Sequence, residues 1–383
     1  MIGASPARRC LREAATAPVV GSTKYGQRRC ERINAAAGSV LGGCGARTQE
    51  DSGVTHSRVR VVTANWIAAG AALLFLSGCG SPPAESSSSA ESGTKWSAPV
   101  MIEPASSAVA YGISCPTSTW CMAVDELGNA ISMERGIWIT PALVSAGGTL
   151  TSVSCPEKSA CSAVSAGGET FSYDGRSWTQ RTRVGPSATY ELSCPASTFC
   201  AAVGASGVRG GGGTISTFNG NTWSTVPLPA DIWPGSRWLD VSCAASTYCV
   251  AISDTPNTMV FDGKAWSSVT GSAPGGLLSI SCPTAGFCMG VDGATYVTLH
   301  GESWSAPHPI VGLQGDFVRS VSCSSKSRCV VLGLGGRSET WMDGGWSAPV
   351  LVFPGGFTST ASLSCSPSGT CVAVNGRGLS ASN

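Results

Sequence analysis

One phrase recurs seven times along this chain: a Ser-Cys pair, five residues, a second cysteine, then a run of small apolar residues. The pairs are Cys115 with Cys121, Cys155 with Cys161, Cys194 with Cys200, Cys243 with Cys249, Cys282 with Cys288, Cys323 with Cys329, and Cys365 with Cys371. Successive first cysteines stand 40, 39, 49, 39, 41 and 42 residues apart. That period exceeds the roughly 20–29 residues of a solenoid coil and matches one four-stranded sheet of a radial array. A unit of this size cannot bury its apolar face alone, so each must pack on the next.

Each repeat reads as four short strands divided by turn residues. In the second, Thr149 to Cys155 and Cys161 to Ser165 flank a turn at Pro156 to Ala160; Gly167-Gly168 breaks the chain before Thr170 to Tyr173, and Asp174-Gly175 turns it into Ser177-Trp178-Thr179. The units before the last carry one tryptophan after this last turn, as at Trp178, Trp223, Trp266, Trp304 and Trp346, where a large ring fills the wedge between neighbouring sheets. The final repeat ends before its tryptophan strand, yet Lys95-Trp96-Ser97-Ala98-Pro99-Val100 precedes the first repeat and matches Gly345-Trp346-Ser347-Ala348-Pro349-Val350. The fold class expected is therefore all-β: a seven-bladed β-propeller over Lys95–Asn383, closed by an N-terminal strand that completes the last blade and leaves no bare edge.

Paired cysteines also suit zinc, but structural zinc sites space their cysteines by about two to four residues and bring two pairs together. Pairs held in separate blades do neither, so no metal and no cofactor is expected. One disulfide within each blade follows, across the hairpin of the first two strands, with Cα atoms near ~5.5 Å.

Arg58 and Arg60 precede an apolar run from Trp66 to Leu76, too short to span a bilayer comfortably, which reads as a signal peptide over Arg58–Cys79. Its end, Leu76-Ser77-Gly78-Cys79, resembles the bacterial lipobox. That resemblance implies a lipoprotein with its membrane anchor on Cys79. Gly80 to Thr94 is a Ser-, Pro- and Glu-rich tether. A secretory signal belongs at the N-terminus, so translation is expected to start near Val59, Val61 or Val62; otherwise Met1 to Ser57 is a disordered extension. The expected location is the outer face of the cytoplasmic membrane or the cell envelope. A formal charge of +1, with only 12% charged residues, provides no field for nucleic acid.

Ser172-Tyr173-Asp174-Gly175-Arg176-Ser177-Trp178 resembles the Asp-box, or BNR repeat, of sialidase-like propellers. It departs from the family by one residue of spacing, and the copies around Gly136, Gly220 and Gly301 lack the acid. The resemblance implies the propeller fold and says little about chemistry, because that hairpin is structural in the family. Tyr190-Glu191 is similar to the Tyr and Glu of sialidases, but the Arg-Ile-Pro tripeptide is missing and no motif assigns Arg183, Arg209, Arg237, Arg319 or Arg337. His300 and His308 are the only histidines after the signal, and they make neither a triad nor a metal centre by any motif.

In a propeller the loops before strand one and between strands two and three share one face. The long 49-residue step places two insertions there, Gly204 to Gly213 and Val226 to Trp238. They make Arg209, Asp231, Trp233, Arg237, Trp238 and Asp240 the candidate ligand-binding residues, a mix of aromatic surface and opposite charges suited to a sugar or peptide; the alternative is that Trp233 and Trp238 pack down over the ring and Gly210 to Gly213 is a surface loop. Asp125, Glu126, Asp254 and Asp292 follow second strands and are candidates to line the funnel or to sit solvated. Three functions remain open: a surface-tethered binding or scaffold module for a glycan, peptide or envelope protein; a glycoside hydrolase or lyase; and a structural envelope component. For the anchor, Cys79→Ser is expected to move the protein from the membrane to the soluble fraction; unchanged sedimentation with membranes would count against lipidation.

Overall fold

The computed structural model describes residues 94–103, 108–185, 189–205, 212–228, 232, 235–269, 273, 276–356 and 360–383. The signal segment, Cys79 and the tether before Thr94 lie outside the described residues. The described chain forms seven antiparallel sheets, each a meander of four strands; in blades 1, 5 and 6 the fourth strand is split into two short pieces that both pair with the third. The first strands are Ala110–Thr117, Leu150–Glu157, Thr189–Ala196, Trp238–Ala245, Ser279–Thr284, Val318–Ser325 and Ala361–Cys365. They pack side by side around a circle, the last against the first.

A first strand pairs with the second along one edge only, and its other edge faces the centre of the ring, where its amides need acceptors. The Ser of each Ser-Cys pair supplies one. Cys155 N–H donates to Ser114 Oγ at 3.0 Å, Cys194 to Ser154 at 2.9 Å, Cys243 to Ser193 at 3.0 Å, and Cys282 to Ser242 at 2.9 Å. Cys323 donates to Ser281, Cys365 to Ser322 and Cys115 to Ser364, each at 2.9 Å. Seven hydrogen bonds thus run once around the ring and return to their start.

The same arrangement fixes the disulfides. An N–H that points away from the partner strand marks a non-hydrogen-bonded position, where opposite Cα atoms approach most closely. All seven bridges form, with Cα atoms 3.9–4.1 Å apart, closer than the ~5.5 Å expected from typical disulfides. Seven oxidised pairs place the domain in an oxidising, extracytoplasmic compartment.

Between blades lie seven apolar clusters, and each holds one tryptophan of the repeated outer position: Trp96, Trp138, Trp178, Trp223, Trp266, Trp304 and Trp346. Trp304 of blade 5, for example, packs with Val250, Ile252 and Val260 of blade 4 and with Ile280, Val297 and Leu299 of its own blade. The second strands are enclosed on both faces, which explains their unbroken small apolar runs: Ala123, Val124, Ala163, Val164, Ala201 and Ala202 are all fully buried.

Short polar motifs secure the outer edge. In Trp-Ser-Ala-Pro, the serine amide donates to, and its Oγ accepts from, a single third-strand residue: Ser305 with Thr298 at 2.8 and 3.0 Å, Ser347 with Thr340 at 2.8 and 3.1 Å, and Ser97 with Ser382 at 2.6 and 3.1 Å. Proline then follows where no further amide is required. The equivalence extends to pairing, since Val100 lies opposite Ser380 and Met101 opposite Leu379, as Val350 lies opposite Ser338. At the turn before the tryptophan, Asp174 Oδ1 accepts the amides of Arg176 and Ser177 at 2.9 and 2.8 Å, and Asn219 Oδ1 those of Asn221 and Thr222 at 3.0 Å. An amide oxygen serves there as well as a carboxylate, so losing the acid does not lose the turn.

Ser281→Ala strands the Cys323 amide, and we expect a loss of about 1–3 kcal/mol in urea unfolding of the oxidised protein. Ser159→Ala, at an exposed hairpin, serves as the control and leaves the midpoint in place.

Candidate functional site

The seven first strands enclose a central channel of about 450 Å³. The Ser-Cys belt occupies the end nearer the hairpin turns. Two residues earlier on each strand, nearer the loop face, the same side of the sheet carries Gly112, Ser152, Glu191, Asp240, Ser279, Ser320 and Ser362. Five of these seven are Gly or Ser, which lets neighbouring strands come close: a Cβ on Gly112 would stand 3.2 Å from Ser152 Cα. Members of this tier repeat the belt's hydrogen bond, with Leu192 N–H on Ser152 Oγ at 3.3 Å, Ile280 on Asp240 Oδ2 at 2.9 Å, and Val321 on Ser279 Oγ at 3.3 Å.

Glu191 departs from the pattern. The amide that would reach it, Val241 N–H, turns instead to Asp240 Oδ1 at 2.7 Å. Asp240 therefore does the structural work of two acceptors, while Glu191 takes a hydrogen bond from Ser152 and faces the channel. Both side chains are partly buried. The walls strip water from them, and this pushes the Glu191 carboxyl up to about 8, helped by the like charge of Asp240. Loss of water likewise pushes Asp240 up to about 6, against the pull of its backbone donors.

Arg319 reaches the same place by a bulge. Val318 pairs with Gly333 and Ser320 with Leu332, so Arg319 is the extra residue, exposed between buried neighbours. Its charge favours the ionised form of both acids. Near neutral pH the channel thus holds a protonated Glu191, an ionised Asp240 and a guanidinium, within walls that are otherwise hydroxyl and aliphatic. Such a set can hold a ligand of mixed charge and can give or accept a proton.

Of the residues expected to bind ligand, the three that are described, Arg237, Trp238 and Asp240, do not form one site. Arg209, Asp231 and Trp233 lie outside the described residues. The two insertions do meet, through Gly213 N–H on Ser236 C=O at 2.8 Å. Trp238, however, is 1% exposed and packs with Ile232, Val241 and Met259, so its ring serves the core and not a ligand. Gly213 makes room for it, since a Cβ there would stand 2.7 Å from the Trp238 ring. Arg237 pairs with Asp254 through Nε at 2.8 Å, and Asp240 faces the channel.

Of the acids considered for the funnel, Asp125 and Asp292 hold turns, while Glu126 and Asp254 hold the segments that enter the first strands of their blades. Asp125 accepts the amides of Leu127 and Asn129 at 3.0 and 2.8 Å, Asp292 those of Ala294 and Thr295 at 3.0 and 2.7 Å, and Glu126 that of Val109 at 3.1 Å. Tyr190 is fully buried in the cluster between blades 2 and 3, which removes it from the channel and separates it from its neighbour Glu191.

No protein-family model matches the chain, and no curated protein matches it in sequence. Solved structures do share its fold. YCF48 bound to a D1 peptide is 16% identical, with 76% of this chain and 98% of that one covered at a TM-score of 0.58. The WD40 propeller domain of Doa1 is 10% identical, covering 76% and 97% at 0.58, and streptogramin B lyase is 8% identical, covering 75% and 97% at 0.59. A propeller seen with a bound peptide and one named as a lyase stand side by side in this group, so the likeness is one of architecture.

Because the Glu191 pKa is raised on folding, the folded state holds a proton that the unfolded chain releases above its ordinary value near 4.5, and stability falls as pH rises toward about 8. Glu191→Gln has no such proton to lose. Its unfolding free energy is expected to gain on that of the natural protein from pH 5 to about 8 and then level off, by on the order of 1–2 kcal/mol at the alkaline end. A difference that is flat with pH would show that Glu191 titrates normally.

Proposed function

We propose that the protein is an extracytoplasmic binding propeller, tethered by a lipid on Cys79, that receives a polypeptide segment at the loop-face mouth of its channel. The observation that carries this reading is a break in symmetry. A tier of the channel built from Gly and Ser in five blades bears Glu191 and Asp240 in two adjacent ones, and Arg319 is bulged toward them from blade 6. In a repeat array, a position that departs from its equivalents at an energetic cost marks function more sharply than one that merely varies. Charges of both signs, with backbone-scale hydroxyls around them, suit a peptide that enters with a basic side chain toward the acids and a carbonyl or carboxylate toward Arg319. A propeller of the same architecture has been seen with a bound peptide, in YCF48.

Glu191 is the residue to change, because it has no backbone amide to hold. On a positional-scanning peptide array the protein is expected to select Lys or Arg at one position, whose charge draws a proton off Glu191, and Glu191→Gln, which cannot ionise, should weaken the selected peptide about tenfold. Equal capture by both proteins would remove the channel from binding. One observation favours a second reading: two carboxyls in one channel with pKa values held apart, about 8 and about 6, are an acid and a base for glycoside hydrolysis. Turnover of fluorogenic glycosides that vanishes in Glu191→Gln would establish that reading in place of the first.

A further inference from the structure

The two histidines that follow the signal, His300 and His308, come together in a groove between blades 5 and 6, away from the channel. Strand geometry explains their meeting. Tyr296, Thr298 and His300 alternate along one side of the third strand, Thr295–His300, and the split outer strand returns so that His308 lies opposite Tyr296. Phe287 and His300 stand edge to face at 5.3 Å, and Tyr296 and His308 lie tilted at 5.3 Å. Blade 6 closes the far wall with Trp341, and with Lys326 and Asp343 from its two hairpin turns.

The groove encloses about 420 Å³, inside the usual ~300–1,000 Å³ of small-ligand sites, and its surface is mainly apolar. Phe287 is buried, Tyr296 and Trp341 are partly buried, and His300, His308, Lys326 and Asp343 are exposed around them. The corresponding groove between blades 2 and 3 has Tyr173 and Phe218 and the charged Asp174 and Arg181, but Ser159, Ser162, Ser172 and Ser197 make its surface mainly polar, and it holds no imidazole. The mainly apolar floor and the two imidazoles are thus not simply what the repeat produces.

The rim identifies the ligand chemistry. Asp343 beside Lys326 disfavours a phosphate or a polyanion, and no third His, Cys, Asp or Glu joins the two imidazoles as a metal-binding group among the described residues. A pyranose ring offers an apolar C–H face to an aromatic floor and hydroxyls that both donate and accept. Imidazole, ammonium and carboxylate together answer those hydroxyls. We propose that this groove binds one hexopyranose ring of a glycan, stacked on Tyr296 and Trp341 and hydrogen-bonded by His300, His308, Lys326 and Asp343. The site is separate from the channel and does not depend on the reading given for it.

The full chain, held in a sugar-free detergent, is titrated with glucose, galactose, mannose and N-acetylglucosamine up to about 50 mM, with the imidazole ¹H–¹⁵N signals as readout. At least one sugar should shift His300 and His308. The exposed substitutions His308→Ala and Lys326→Ala, which leave the core intact, should each weaken that sugar about tenfold. No shift with any of the four sugars overturns the proposal, as does equal affinity in both variants. A response to phenylalanine amide with none to the sugars overturns it in favour of a peptide site.

Discussion

A strand at the centre of a radial array is paired on one side and bare on the other, and everything in this domain depends on how that bare side is satisfied. The Ser of each Ser-Cys pair presents its hydroxyl to the Cys amide of the next blade, in a circuit closed by Cys115 on Ser364. A buried amide left without an acceptor costs about 1–3 kcal/mol, so the circuit removes a penalty that would otherwise arise once per blade. Serine is the smallest side chain that can do this while letting first strands approach. Because the donating amide points out of its own hairpin, the cysteine beside the serine must sit at the close, non-hydrogen-bonded position. The belt and the disulfides are two results of one register.

Against such uniformity, departures acquire meaning. Glu191 replaces Ser or Gly, lacks the amide hydrogen bond that Ser152, Asp240 and Ser279 accept in its tier, and is held protonated near neutral pH by dehydrating walls and a neighbouring carboxylate. Asp240 compensates by holding two amides. The ring tolerates the pair because its seven interfaces are separate: each wedge has its own tryptophan cluster, and strain in one sector is not imposed on the others.

What could be read along the chain was whatever each blade settles within itself. Cysteines six residues apart across a tight hairpin have one feasible partner, a tryptophan after every Asp-Gly or Asn-Gly turn has one wedge to fill, and Trp96-Ser97-Ala98-Pro99 repeats a motif whose bonding is local. Two readings stayed open along the chain where a side chain could turn either way. Trp238 opens a first strand on the side that faces blade 3, so an aromatic residue next to a loop became core. Asp125 and Asp292 bonded amides two to four residues ahead, the alternative always available to a short acid at a turn.

The amino-acid sequence by itself determined the blade count, the cysteine pairing and the offset strand, because period, hairpin closure and alternation act over a few residues and recur. Only the tertiary structure decided that Glu191, Asp240 and Arg319 share a channel, and that His300 and His308 share a groove. Those meetings depend on angular position around the ring and on single-residue bulges. The bulge that exposes Arg319 recurs at the same place in blades 1, 2 and 4, but which of its residues carries a charge follows no period.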